Sequence, residues 1–273
     1  MRFTPRTWSA LMAMAGCLAL VVGGWGATRT DNPQDQPALQ SPDNQEVPAK
    51  RNPLSFEDRG DIFMARKAYS DAVDYYYRAL RETNFTNPVV WNKLGIAYQT
   101  ILNYKGSRKA YNKALRLRRD FPEVWNNLGT TYYLQHKYKK SLKYYEEAIK
   151  LKPGVASFHL NLGASYFGMK NFPKCVEETR AALNIDPNIL GERSSVGTIM
   201  ETRAFAGPQY YFYMAKVFAS LGRPEEAIRY LRRAFEDGFK DRKKLDEDPD
   251  FIKISKNPAY IELINNPPIS IKE

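Results

Sequence analysis

The 273-residue chain is poor in the side chains from which catalytic and metal sites are built, with two cysteines and two histidines in all. Cys17 lies in an apolar N-terminal run, so Cys175 has no disulfide partner in the folded part, and neither a disulfide framework nor a zinc cluster is available. His136 and His159 lack metal-ligand spacing, and packing and solvent account for them. A glycine-rich phosphate loop, G-x-S-x-G and H-E-x-x-H are all missing. Negative charge is scarce: 30 acidic residues face 41 lysines and arginines, a formal net charge of +11. That balance suits an acidic protein, a phospholipid, an acidic glycan or a nucleic acid, and does not choose among them. With 43% hydrophobic residues the chain can bury a sizeable core.

Only one long apolar run is present, Trp8 to Ala27, preceded by Arg2 and Arg6. Residues 1–27 therefore read as a targeting segment. Three forms stay open: a signal peptide cleaved near Gly24-Trp25-Gly26, a retained membrane anchor, or a lipobox ending at Cys17. In each, the basic residues precede the run and Asp31, Asp35, Asp43 and Glu46 follow it, so the bulk is expected to be exported, to a bacterial periplasm or cell envelope. Residues 28–53 carry five prolines and little that is apolar, the composition of a flexible tether.

Beyond the tether the chain repeats itself. "NPVVWNKLGIAY" at 87–98 returns 34 residues later as "FPEVWNNLGTTY" at 121–132. The frame extends forward through Leu162, Gly163 and Tyr166, and backward, with one extra residue in the connection, through Gly60, Phe63, Ala72, Tyr76 and Ala79. A weaker copy holds Tyr211, Met214, Ala215 and Phe218, then Ala227, Leu231 and Ala234. Glycine inside a helix costs about 1 kcal/mol relative to alanine, so Gly60, Gly95, Gly129 and Gly163 at one helical position imply close helix approach. The small residues Ala72, Ser107, Ser141, Cys175 and Ala227 are the expected facing partners, Cys175 as a buried small hydrophobe.

These residues resemble the tetratricopeptide repeat, W-x2-L-G-x2-Y followed by A-x3-F and P; the third copy matches with Trp125, Leu128, Gly129, Tyr132, Ser141, Tyr145, Ala148 and Pro153. The resemblance implies an all-α solenoid of about five helix-turn-helix repeats with a C-terminal helical cap. Repeats 1–4 are expected over 54–187, an insertion over 188–207, repeat 5 over 208–238 and the capping region over 239–273. Helix pairs are expected at about 54–82, 88–118, 122–151, 156–185 and 208–237. Asp248-Pro249 and Asn257-Pro258 read as helix starts in the cap.

Such arrays are implied to bind another chain in a groove lined by the first helix of each pair, and to need no cofactor or metal. With Trp91, Trp125 and His159 as the fourth repeat position, the groove would carry Asn92, Ile96, Gln99, Asn126, Thr130, Tyr133 and Phe167. The amides would bond an extended peptide's backbone while Tyr133 and Phe167 offered apolar contact. The carboxylate clamp of chaperone-binding members is not supported: among the corresponding places only Asn127 matches. Paired acids at Glu146-Glu147, Glu177-Glu178 and Glu225-Glu226 recur in second helices and mark solvated faces, so an enzyme is not expected.

A second surface competes with the groove. Between Asn103 and Lys152 thirteen basic residues face four acidic ones. Arg116, Arg118, Arg119, Lys139, Lys140 and Lys143 are the candidates for an anionic lipid or glycan, and export makes nucleic acid an unexpected ligand.

Overall fold

The computed structural model describes residues 54–190 and 207–270; residues 1–53, where a targeting segment and a tether are expected, and most of the expected insertion lie outside the described residues. Among the described residues ten helices form five hairpins: α1 (Phe56–Ala65) with α2 (Tyr69–Glu82), α3 (Pro88–Thr100) with α4 (Tyr104–Leu117), and α5 (Pro122–Tyr133) with α6 (Tyr138–Leu151). α7 (Ala156–Gly168) with α8 (Phe172–Ile185), and α9 (Pro208–Ser220) with α10 (Pro224–Glu236), complete the array. Three short helices follow, α11 (Lys243–Asp246), α12 (Pro249–Ile252) and α13 (Pro258–Asn265). Among the described residues the structure is all helix and loop, without strands.

Each first helix packs on its hairpin partner, the second helix then packs on the first helix of the next hairpin, and the first helix α5 also touches α3 and α7. They share one face of the stack. Helix starts follow from local chemistry: Asn87, Asn103 and Asn171 cap α3, α4 and α8 with their side-chain oxygens, and Ser55 closes a capping box with Asp58 on α1. Pro88, Pro122, Pro208 and Pro224 sit at first helical positions, where the missing N–H costs nothing. Each turn inside a hairpin places one residue in the left-handed region: Lys67, Leu102, His136 and Lys170 at φ of 57–60°, then Gly222 at 67°.

The glycines do mark close approach, but the facing partner differs from the one expected. A Cβ on Gly60, Gly95 or Gly129 would stand 2.4–2.8 Å from the ring of Tyr76, Tyr111 or Tyr145, sixteen residues on. Those tyrosines are buried, and their rings fill the space a glycine Cβ would need. The small residues point onward instead. Ser107 Oγ shares a 3.1 Å hydrogen bond with Thr131 Oγ1, and Ser141 Oγ a 2.7 Å bond with Ser165 Oγ, each to the first helix of the next hairpin. Close inter-repeat packing therefore rests on these positions, and intra-hairpin packing on glycine against tyrosine. In the fourth hairpin Thr179 replaces the tyrosine. Cys175 is fully buried there, and burial raises its thiol to about 12.

The ring at the fourth repeat position ties each hairpin to the loop that enters it. Trp91 Nε1 donates to the Phe85 carbonyl at 2.9 Å and Trp125 Nε1 to the Arg119 carbonyl at 2.8 Å. His159 continues the series with Nε2 at 3.3 Å from the Pro153 carbonyl, while its Nδ1 meets Glu178 Oε2 at 2.8 Å. Two acceptors call for two ring protons, and the Glu178 bond raises the His159 pKa against the opposing effect of burial.

The tail closes the stack as a further repeat would. α12 packs on α9 and α13 on α10. Phe251 is fully buried with its ring 5.5 Å from that of Phe212, which also stacks on Phe239 at 4.5 Å. Asp248 and Asn257 cap α12 and α13, and Lys216 on α9 bonds Asp248.

Candidate functional site

The first-helix face changes chemistry along its length. At the N-terminal end, Lys93 Nζ bridges Glu57 and Asp61 of the preceding hairpin at 2.7 and 2.6 Å, and Tyr76 donates to Asp61 at 2.7 Å. The same step is then taken by amides. Asn127 Nδ2 donates to Asn92 Oδ1 at 3.1 Å, and Asn161 Nδ2 to Asn126 Oδ1 at 2.9 Å. Each bond joins the fifth position of one repeat to the sixth of the next, so the polar half of the face is a ladder that holds neighbouring repeats in register.

At the far end the rungs become aromatic. A cavity of about 540 Å³ is lined by Tyr138, Phe167, Phe172, Lys170 and Gln209, with Gly168 in its wall. Phe167 meets Phe172 edge-on at 5.6 Å and Tyr210 at 5.7 Å, and Phe172 stacks on Tyr213 at 4.4 Å. The size falls within the roughly 300–1,000 Å³ of ligand-binding cavities. Apolar rings with one amide and one ammonium at the rim suit an apolar side chain and its adjoining peptide group.

Six of the seven residues expected in the groove lie partly exposed on the first helices, most of them already bonded. Gln99 Oε1 accepts from Thr131 Oγ1 at 2.8 Å and from the Tyr111 hydroxyl at 3.4 Å, and Thr130 Oγ1 accepts from the Tyr145 hydroxyl at 3.1 Å. Ile96 packs against the N-terminal core cluster. Asn92 and Asn126 are rungs of the ladder, and Phe167 is in the aromatic cavity. Tyr133 corrects the expectation. It is 3% exposed, belongs to the core, and its ring lies 5.4 Å from that of Tyr138, so it presents nothing to a ligand. Its burial raises its pKa, with Tyr145 and Tyr138 adding to the rise.

Tyr138, Phe172 and Gln209 were not anticipated as site residues. A signal existed: Tyr69, Tyr104, Tyr138 and Phe172 each open a second helix, an aromatic repeated in frame. Of the basic candidates, Arg116, Arg119, Lys139, Lys140 and Lys143 are exposed, the three lysines together on α6. Arg118 is half withdrawn, its guanidinium 3.5 Å from the centre of the Phe121 ring. Among the described residues no cluster of three His, Cys, Asp or Glu could hold a metal ion, and no helix is long and apolar enough to cross a membrane.

Stacked antiparallel hairpins, each bonded to its neighbour along one face, define a helical repeat solenoid. Family descriptions agree on which one: "Tetratricopeptide repeat" matches residues 122–154 and 208–236, and "TPR repeat" matches 103–136. The chain is a tetratricopeptide-repeat protein. The matches include the divergent fifth hairpin, while the first and fourth hairpins belong to the array by their packing. No curated protein matches the chain. Solved structures with a similar fold include a crystal structure of MamA, 20% identical, covering 68% of this chain and 96% of that one at a TM-score of 0.47. Another, of MamA protein, is 19% identical over 71% and 93% at 0.48, and MamA 41-end from Desulfovibrio magneticus RS-1 is 18% identical over 66% and 92% at 0.48.

Proposed function

We propose that this protein is a scaffold of the bacterial cell envelope that docks a segment of a partner protein along its first-helix face, seating one apolar side chain in the aromatic cavity between the fourth and fifth hairpins. The cavity carries this reading: Phe167, Phe172 and Tyr138 form its apolar wall and Gln209 supplies an amide at the rim. The protein-binding role of tetratricopeptide arrays supports the broad class. The envelope location rests on the basic-then-apolar segment at 1–27 and on the tether after it. The scaffold has no enzymatic role in this reading and takes no cofactor.

A second reading uses the exposed lysines of α6 to hold anionic lipid headgroups or acidic envelope polymers. One experiment separates the two. Peptides selected from a random display library on the 54–270 domain would be titrated against the wild type, Phe172→Ala and the triple variant Lys139→Glu, Lys140→Glu, Lys143→Glu. The groove reading expects selected peptides to share an apolar anchor and to lose on the order of tenfold or more in affinity with Phe172→Ala, the value of one buried aromatic contact. Binding lost only in the lysine variant, together with binding to anionic but not neutral vesicles, would overturn it in favour of the basic face.

A further inference from the structure

A second cavity, of about 580 Å³, lies against α9 and α10, and its described lining differs: Tyr211, Arg229, Tyr230, Arg232, Arg233 and Glu236, with Leu190 as an apolar edge. The three arginines stand at i, i+3 and i+4 on α10, so they share one face of that helix. Two of them are held by aromatic rings. The Arg229 guanidinium lies 5.6 Å from the centre of the Tyr230 ring, and that of Arg233 lies 5.7 Å from the Tyr211 ring. The rings are themselves fixed, Tyr230 stacking on Phe218 at 5.2 Å and tilting against Tyr211 at 6.4 Å. The Arg229 and Arg233 guanidiniums thus rest beside aromatic faces before any ligand arrives, which lowers the ordering cost of binding.

Arg233 is the most engaged of the three, hydrogen-bonded to Tyr211 and close to Glu236 and Asp237. Among the described residues only Arg233 of the three has a carboxylate within ion-pair distance, Glu236 at 3.5 Å. Glu226, on the same helix, is hydrogen-bonded by Arg223 and also feels the charge of Arg229 from beyond ion-pair distance. Among the described residues the lining thus holds three positive charges against one negative, a surplus of two. Three forked donors around a space of this size match an oxygen-rich dianion, and tyrosine faces beside them match a flat ring attached to it.

We propose that this cavity binds a phosphate monoester carried on a small ring-bearing ligand, with Arg229 and Arg232 as the principal phosphate donors and Tyr211 and Tyr230 beside the ring. This site is separate from the aromatic cavity, which lies on other residues and is apolar. The same arginine face would hold a monoanion less well, because one charge of the surplus would stay uncompensated. A phosphate monoester approaches a dianion above its second ionisation near pH 6, so binding strengthens as pH rises from about 5 to about 7.5.

The test is a calorimetric titration of the full chain with phenyl phosphate, inorganic phosphate and benzenesulfonate. The expected result is saturable binding of one equivalent of phenyl phosphate, with both comparison ligands weaker. Replacing the two arginines together (Arg229→Gln, Arg232→Gln) should weaken it by on the order of tenfold or more, since each charge-assisted hydrogen bond lost costs about that factor. Both residues are exposed on their helix, so helicity and thermal midpoint should hold. Arg66→Gln with Arg81→Gln removes equal charge far along the sequence and should leave the affinity unchanged. Lack of saturation, equal binding of benzenesulfonate or inorganic phosphate, or equal weakening by the Arg66 and Arg81 pair would each overturn the proposal.

Discussion

Gly129 and Gly163 occupy the same repeat position with different neighbours. At Gly129 a Cβ would sit 2.8 Å from two ring atoms of the buried Tyr145, whose hydroxyl is also tied to Thr130. The ring cannot retreat without breaking that bond or displacing the core. At Gly163 the nearest atoms are Thr179 Oγ1 at 3.3 Å and the Cys175 carbonyl at 3.4 Å, close to ordinary contact. Gly129→Ala is therefore expected to destabilise the domain by roughly 1–3 kcal/mol despite alanine's better helix propensity, the usual cost of overpacking. Gly163→Ala should be near neutral, because about 1 kcal/mol of propensity offsets a small displacement. Urea denaturation midpoints of the two variants decide the matter; equal losses would mean that the tyrosine is not what excludes a side chain at this position.

The hairpin turns show how one element is joined to the next at a local cost. Each turn needs a left-handed residue, and the fifth hairpin alone meets this with glycine, Gly222. Leu102 adopts φ of 60° while 67% exposed, so its side chain contributes little packing in return for the strain. Leu102→Gly should stabilise the second hairpin by about 1 kcal/mol, the left-handed penalty of an L-residue less the entropy glycine loses on folding. A rise of the thermal midpoint on heating would confirm it, and a fall would show that Leu102 packs better than its exposure implies. The ladder works between elements too. Asn92 with Asn127, and Asn126 with Asn161, place the amides sideways onto the next repeat.

Across the whole molecule, the array must end somewhere, and the open face of the last hairpin is apolar. The tail resolves this by placing Leu245, Phe251, Ile254, Tyr260 and Leu263 in the core beside Phe212. Phe251 joins two aromatic contacts, to Phe212 and Tyr260, and is fully enclosed. Phe251→Ala should cost about 3–5 kcal/mol, as for other buried aromatics, and expose the end of the stack. Calorimetry should show a lower thermal midpoint, and light scattering a rising tendency to associate. An unchanged midpoint would mean that the fifth hairpin is closed without the tail.

Much of this was legible in the letters. Hairpin boundaries, helix caps and the terminal cap follow from a 34-residue period, from Asn, Asp and Pro at helix starts, and from apolar spacing, all local properties of the chain. The period also places a residue on a helix, yet it does not say what lies against that residue from the next hairpin. Tyr133 and Phe167 share one repeat position; Tyr133 is enclosed in the core, while Phe167 borders a cavity. The glycines announced close approach, but only three-dimensional packing assigned the approach to tyrosine rings sixteen residues away and freed the small residues to face the neighbouring repeat. Side-chain burial is a sum over contacts from separate elements, so a one-dimensional pattern sets the helices and their order, and tertiary packing decides which of their faces are left to bind.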